Sequence, residues 1–427
     1  MTLSATTARR LAAARDITAV LIFCALVFLG GRALVNSPHL QKERLTKKEA
    51  GSDITEFFAK VEKTHPAPFA GLTAQQYAVL KSSALAQAVA RLDELGRLQV
   101  PHLAYILYRS AAQFEDASTR VLWQPRRKWK DPELKFPPFR VEYIYGRFTV
   151  GSTLDPSMAG AELLEVNGLP LIEFIKPALG LIAGETAAHR RYVFCRDQDF
   201  WWDFSGLLAA RPLALVKYRT PAGLLRSKEV ELVTAGGFRR FAGAPYQPKT
   251  MTYSQKKLAW LHVGPLPWSR SARKTYGRFF GELREQGIED LVLDLRDSSS
   301  GDPRMADYLL SSLPGSFGRI TILIGPGTAG AGAVLASRLK ELKAGDILGE
   351  ETGGAPDHFG APEEFKLGNS GIRYTVAAEH YALPGGSKAR VSPDLRLTEA
   401  LLRPHKGDLK AFVLDRLARD RKASKQQ

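Results

Sequence analysis

Hydrophobic and polar positions change their spacing three times along this chain of 427 residues. From Ser52 to Phe114 the apolar positions recur at helical spacing. SDITEFFAKVEK, with Ser52 or Asp53 as the expected cap, LTAQQYAVLKSSALAQAVARL and VPHLAYILYRSAAQF read as three helices, with THPAPF as a proline-rich break. Tyr77, Leu80, Leu103 and Tyr105 are expected in their core. Between residues 139 and 235 the period shortens to two. FRVEYIYGRFTVGST, ALVKYR and SKEVELV read as strands, and AELLEVNGLPLIEF reads as a hairpin turning at Asn167-Gly168. The aromatic knot DFWWDF at residues 199–204 is expected to be buried.

From Lys257 onward, strand and helix alternate. LAWLHV, DLVLDL and RITILI are strands. SARKTYGRFFGELREQG, ending at Gly287, PRMADYLLSSL and TAGAGAVLASRLKEL are helices. The pattern predicts a mostly parallel sheet covered by helices, with sites beyond the carboxyl ends of its strands. Two such ends stand out: DLRDSSSGD at 294–302 and GPGTAGAGA at 325–333. Residues 405–427 read as a basic terminal helix and tail.

The N-terminus adds a different feature. A basic segment, residues 1–16, precedes an uncharged run at 17–31, which the three apolar residues after Arg32 lengthen to Val35 if that side chain snorkels. Residues 17–35 read as a single-pass membrane anchor, with a cleaved signal as the alternative. Residues 36–51 read as a polar stalk, and the bulk of the chain is then expected outside the cytoplasm. Net charge is +16, and residues 1–50 and 403–427 each hold 8 Lys/Arg against 3 acids. Basic ends beside an apolar run suit anionic lipid headgroups or plain solvent. No zinc spacing or basic recognition helix marks a nucleic-acid binder. The two cysteines, Cys24 and Cys195, form no disulfide framework, the eight histidines show no metal-ligand spacing, and GPGTAGAG lacks the Lys-Ser/Thr ending of a phosphate loop. No cofactor is expected.

The order of motifs resembles the tail-specific, or C-terminal-processing, serine proteases, particularly the branch near the tricorn core and the interphotoreceptor retinoid-binding protein. The motifs are DAST at 116–119, EVNG at 165–168, DLRDSSSG at 294–301, TAGAGA at 328–333, GEETGGAPDHFG at 349–360, LGNSGIRYTV at 367–376 and SPDLRLT at 392–398. The resemblance implies an α/β fold. It would comprise a helical N-terminal domain (52–125), a small PDZ-like β-rich module (139–235) and a crotonase-like (ClpP/crotonase) spiral core (250–404). Asp294, Arg296, Thr328, Thr352, Gly353, Gly354 and Asp394 fall on its structural motif positions. Ser300, Gly301 and Ala331 fall on the oxyanion loop.

Departures fall on the chemistry. The family's nucleophile position is Gly330, and its base position is Ser118. Glycine forms no acyl-enzyme, and a serine hydroxyl is no general base near neutrality. The leading expectation is a pseudoprotease binding peptide or protein partners. An active peptidase using a displaced serine (Ser298, Ser299 or Ser300) with His358 is the alternative. No sequence feature marks a pocket for a lipid-like cargo, the third class.

Overall fold

The computed structural model describes residues 42–124, 135–208, 212–234, 237–238, 250–253, 257–313, 317–383, 389–405 and 407–424. The helix Lys47–Thr64 starts earlier than its apolar pattern suggests. Thr46 and Glu49 close a capping box, placing the N-terminus before Ser52. Arg44–Thr46 pairs antiparallel with Arg97–Gln99. The last part of the expected stalk is therefore folded. Asp53 is not a cap: it is buried and accepts from the Asn369 and Ser370 amides at 3.0 and 2.8 Å, tying the helix to the LGNSG loop. Ala74–Ala90 and Val100–Ala111 follow as the second and third helices. Ile54, Phe57, Phe58 and Val61 form the inward stripe of the first helix, at spacings that share one face.

An antiparallel sheet comes next, in spatial order Leu225–Glu231, Leu213–Arg219, Glu162–Val166, Arg147–Thr153 and Phe139–Ile144. The Asn167-Gly168 turn is present, but only Leu169–Pro170 pairs back, and Leu171–Leu179 is helical rather than a second strand. Gln198–Phe204 is a short helix that buries Trp201 and Trp202.

A second six-stranded sheet runs Thr250–Tyr253, Leu258–His262, Asp290–Asp294, Arg319–Ile324, Asp346–Gly349 and Leu395–Arg396. Its pairings are parallel after the first. Every residue of Asp290–Asp294 is buried, as a sheet covered on both faces requires. Ala259, Leu261, Leu291, Leu293, Ile322 and Ile347 pack under helices Arg270–Glu285, Pro303–Ser312 and Ala331–Glu341. Trp260, Val292, Leu323 and Leu348 face the other way, onto Phe412 and Val413 of the helix Leu409–Ser424. That terminal helix is thus a layer of the core and not only a basic tail.

Membrane localisation requires correction. The expected anchor, residues 17–35, lies outside the described residues, as does the basic segment 1–16. Among the described residues no helix is long and apolar enough to cross a membrane, so the anchored reading has no structural support.

Candidate functional site

Three parallel strands, Asp290–Asp294, Arg319–Ile324 and Asp346–Gly349, deliver their following loops to one edge of the sheet. Thr328 binds two of those loops together. Its hydroxyl donates to the Leu295 carbonyl at 2.8 Å and accepts from the Gly325 amide at 3.0 Å. The third loop is held by the Gly353 and Gly354 amides, which donate to the Thr328 carbonyl at 2.9 and 3.2 Å. Thr352 donates to the Gly354 carbonyl and accepts from the Val391 amide. Asp394 accepts from the Ile347 amide at 2.9 Å, fixing the end of the sheet.

Asp294 and Arg296 form a bidentate pair at 2.8 and 2.7 Å, and His262 Nδ1 lies 3.0 Å from the same carboxylate. Burial works to raise the Asp294 carboxyl. Arg296 and His262 outweigh it and hold the group well below the usual carboxylate range. The geometry makes Arg296 a loop brace.

At the centre stands Gly330, just before the helix Ala331–Glu341, with φ 53° and ψ −131°. Such a strained strand-to-helix turn is the kind that displays a nucleophile, and L side chains rarely adopt its backbone. A Cβ built there would lie 3.5 Å from Ser300 Cα, 3.8 Å from the Ser299 carbonyl oxygen and 3.7 Å from His358 Nε2. All three are ordinary contacts, so side-chain volume is not what excludes a larger residue. Ala331 opens the helix, and its N–H has no intrahelical acceptor. Gly301, at φ 136°, rests against the Leu266 backbone so closely that any Cβ would collide with the Leu266 carbonyl oxygen.

The candidate serines differ in what they can do. Ser298 is fully buried. Ser299 is half-buried and accepts from Arg196 Nη1 at 3.2 Å. Ser300 is exposed at the mouth. Ser118 stands across the cleft and donates to the Phe359 carbonyl at 3.1 Å. It reaches this place because Arg120–Val121 pairs with Arg373–Val376.

His358 is 6% exposed. Its Nδ1 lies 2.9 Å from the Pro356 carbonyl. A carbonyl only accepts, so Nδ1 carries the hydrogen and Nε2 presents its lone pair. Burial pushes the imidazole below its ordinary value, which keeps it neutral. No hydrogen bond joins Nε2 to Ser298, Ser299 or Ser300 among the described residues.

Sequence reading missed a group carried in from beside the antiparallel sheet. The segment 185–196 packs on the loops. The Ala355 amide donates to Glu185 at 2.7 Å, Thr186 donates to the Gly353 carbonyl at 2.9 Å, and His189 Nδ1 lies 3.0 Å from the Pro326 carbonyl. Burial, helped by Asp116 and Asp357, pushes Glu185 up to about 7, and burial pushes His189 down to about 4. Only one sequence signal pointed here: Thr186 caps the helix Ala187–Arg196. Glu185 and His189, with Ser118, Arg120, Arg196, Gly330 and His358, line a cavity of about 1190 Å³. Among the described residues, no group of three or more His, Cys, Asp or Glu could hold a metal ion.

No family model and no curated protein matches the chain. Solved structures do. Mature CPAF complexed with lactacystin is 13% identical, over 88% of this chain and 99% of that chain, with TM-score 0.58. Mature CPAF alone is 14% identical, over 86% and 96%, also at 0.58. The photosystem II D1 C-terminal processing protease is 17% identical over 85% and 96%, with TM-score 0.44. The chain has the mixed α/β fold of the CPAF structures. Its resemblance to the tail-specific proteases, read from the motifs, holds at the level of the fold.

Proposed function

We propose that this chain binds extended peptide or protein segments with a serine-protease fold that has lost covalent acyl transfer. One observation carries the reading: the turn built to display a nucleophile holds Gly330, whose backbone keeps the displaying conformation without a hydroxyl to display. Ser298 is sealed in the core, and Ser299 is engaged by Arg196. On this reading the parallel-sheet half is a crotonase-like core, and the antiparallel module is PDZ-like. A peptide would pass through the cavity or add to the edge strand Leu225–Glu231, where only Val230 is buried.

The test pairs a cleavage assay with a binding assay. The purified chain is incubated with labelled casein, and fluorescence anisotropy follows binding of casein-derived peptides. Saturable binding without cleavage is expected. Cleavage that tracks the chain through purification would overturn the reading, and so would an absence of saturable binding.

A further inference from the structure

Losing the nucleophile did not remove the proton acceptor from this cleft. Position 118 carries no base, but His358 enters at the head of the short strand His358–Gly360 and points Nε2 at the place a side chain on residue 330 would occupy. A C–O bond and a hydrogen bond of about 2.9 Å, meeting near the tetrahedral angle, span about 3.6 Å. The 3.7 Å between Nε2 and the Cβ position is therefore the spacing at which an oxygen beside residue 330 hydrogen-bonds to His358. Gly330 is half-exposed and lines the cavity, so the volume beside its Cα opens to solvent. The Ala331 N–H heads an eleven-residue helix directly after this point, and Ser300 Cα and the Ser299 carbonyl oxygen flank it.

We infer that His358 is the general base of this cleft, activating a water molecule beside Gly330 for direct attack on activated acyl esters. The inference rests on the reading that residue 330 supplies no nucleophile. In the reaction, the water oxygen bonds to the ester carbonyl carbon while its proton passes to His358 Nε2. The carbonyl oxygen becomes an oxyanion at the helix N-terminus, where the Ala331 amide has no intrahelical acceptor. As the tetrahedral adduct collapses, the bond to the alcohol oxygen breaks and the leaving group takes the proton from His358. Acid and alcohol are released, and the imidazole is neutral again. Amides, with their poorer leaving groups, are turned over far more slowly, so weak esterase chemistry coexists with absent proteolysis.

The full chain is assayed with the 4-nitrophenyl ester of an N-acylated amino acid, with and without prior fluorophosphonate treatment. We expect a linear time course without an initial burst, unaffected by the fluorophosphonate. We also expect rates about 100-fold lower in the His358→Gln variant, in line with general-base contributions. Exogenous imidazole should restore turnover in His358→Ala, which a purely structural role for the side chain would not predict. If both variants misfold, the wild type decides alone: a solvent deuterium isotope effect on kcat without a burst supports the inference, and its absence overturns it. Turnover no faster than buffer, or undiminished in His358→Gln, overturns the inference and leaves the loss of acyl transfer standing. Turnover abolished by the fluorophosphonate together with a covalent adduct overturns that underlying reading instead.

Discussion

Gly330→Ser is the substitution that the geometry defines most sharply. The nearest atoms to the new Cβ lie at 3.5, 3.7 and 3.8 Å, so no neighbour must move. The backbone is the cost: a non-glycine residue at φ 53° loses roughly 1–3 kcal/mol, a fall of a few degrees in Tm for a protein of this size. In return the hydroxyl reaches hydrogen-bonding distance of His358 Nε2 with no change at Ser118. The assay is labelling by a fluorescent fluorophosphonate, followed by peptide mapping. The single variant is expected to label at residue 330. Adding His358→Gln should slow labelling by about 10²–10⁴-fold, the range of a general base. Adding Ser118→His should bring no comparable gain, because position 118 is tied to the Phe359 carbonyl and the base is already present. A folded Gly330→Ser variant that labels no faster than the wild type would refute the assignment of His358.

Other consequences can be measured on the wild-type scaffold. Gly301→Ala drives a methyl group into the Leu266 backbone and should cost about 2–4 kcal/mol in urea unfolding; an unchanged midpoint would show that the loop at Gly301 is not held as described. Thr328→Val orphans the Gly325 amide, at about 1–3 kcal/mol, while the Leu295 carbonyl keeps the Ser298 amide, and loss of less than about 1 kcal/mol would argue against the hydroxyl as a staple. Glu185 has a folded value raised from 4.5 to about 7. The unfolded chain therefore ionises first, and this group's contribution to stability is lost as pH rises from about 4.5 to 7. The shift corresponds to at most about 3 kcal/mol, reduced by the side chain's partial exposure. Urea titrations should show Glu185→Gln gaining on the wild type across that window, and parallel pH curves would contradict the shift.

What the sequence made legible follows from where the information is local. DLVLDL and RITILI are apolar on both faces because two helical layers cover them, and uninterrupted apolar runs announce such strands. The start of the first helix was misplaced because its capping box, Thr46 and Glu49, lies before the apolar stripe begins. PLIEF reads as a strand on apolar content alone, although the next five residues, Ile175–Leu179, continue it into a helix. Gly330 could be singled out because the surrounding TAGAGA motif carries its own register. The role proposed for His358 could not be: a lone histidine shows its tautomer only when Pro356 and Gly330 are placed around it. Glu185, His189 and Arg196 reach the cleft from a segment more than a hundred residues before the core loops they support, and no spacing rule spans that separation.

The central claim is that this cleft forms no covalent intermediate, and intact-mass spectrometry of the wild-type chain after prolonged exposure to excess fluorophosphonate tests it most directly. An unshifted mass is predicted, alongside complete modification of an active serine hydrolase in the same tube. A one-to-one adduct mapping to Ser299 or Ser300 would contradict the account.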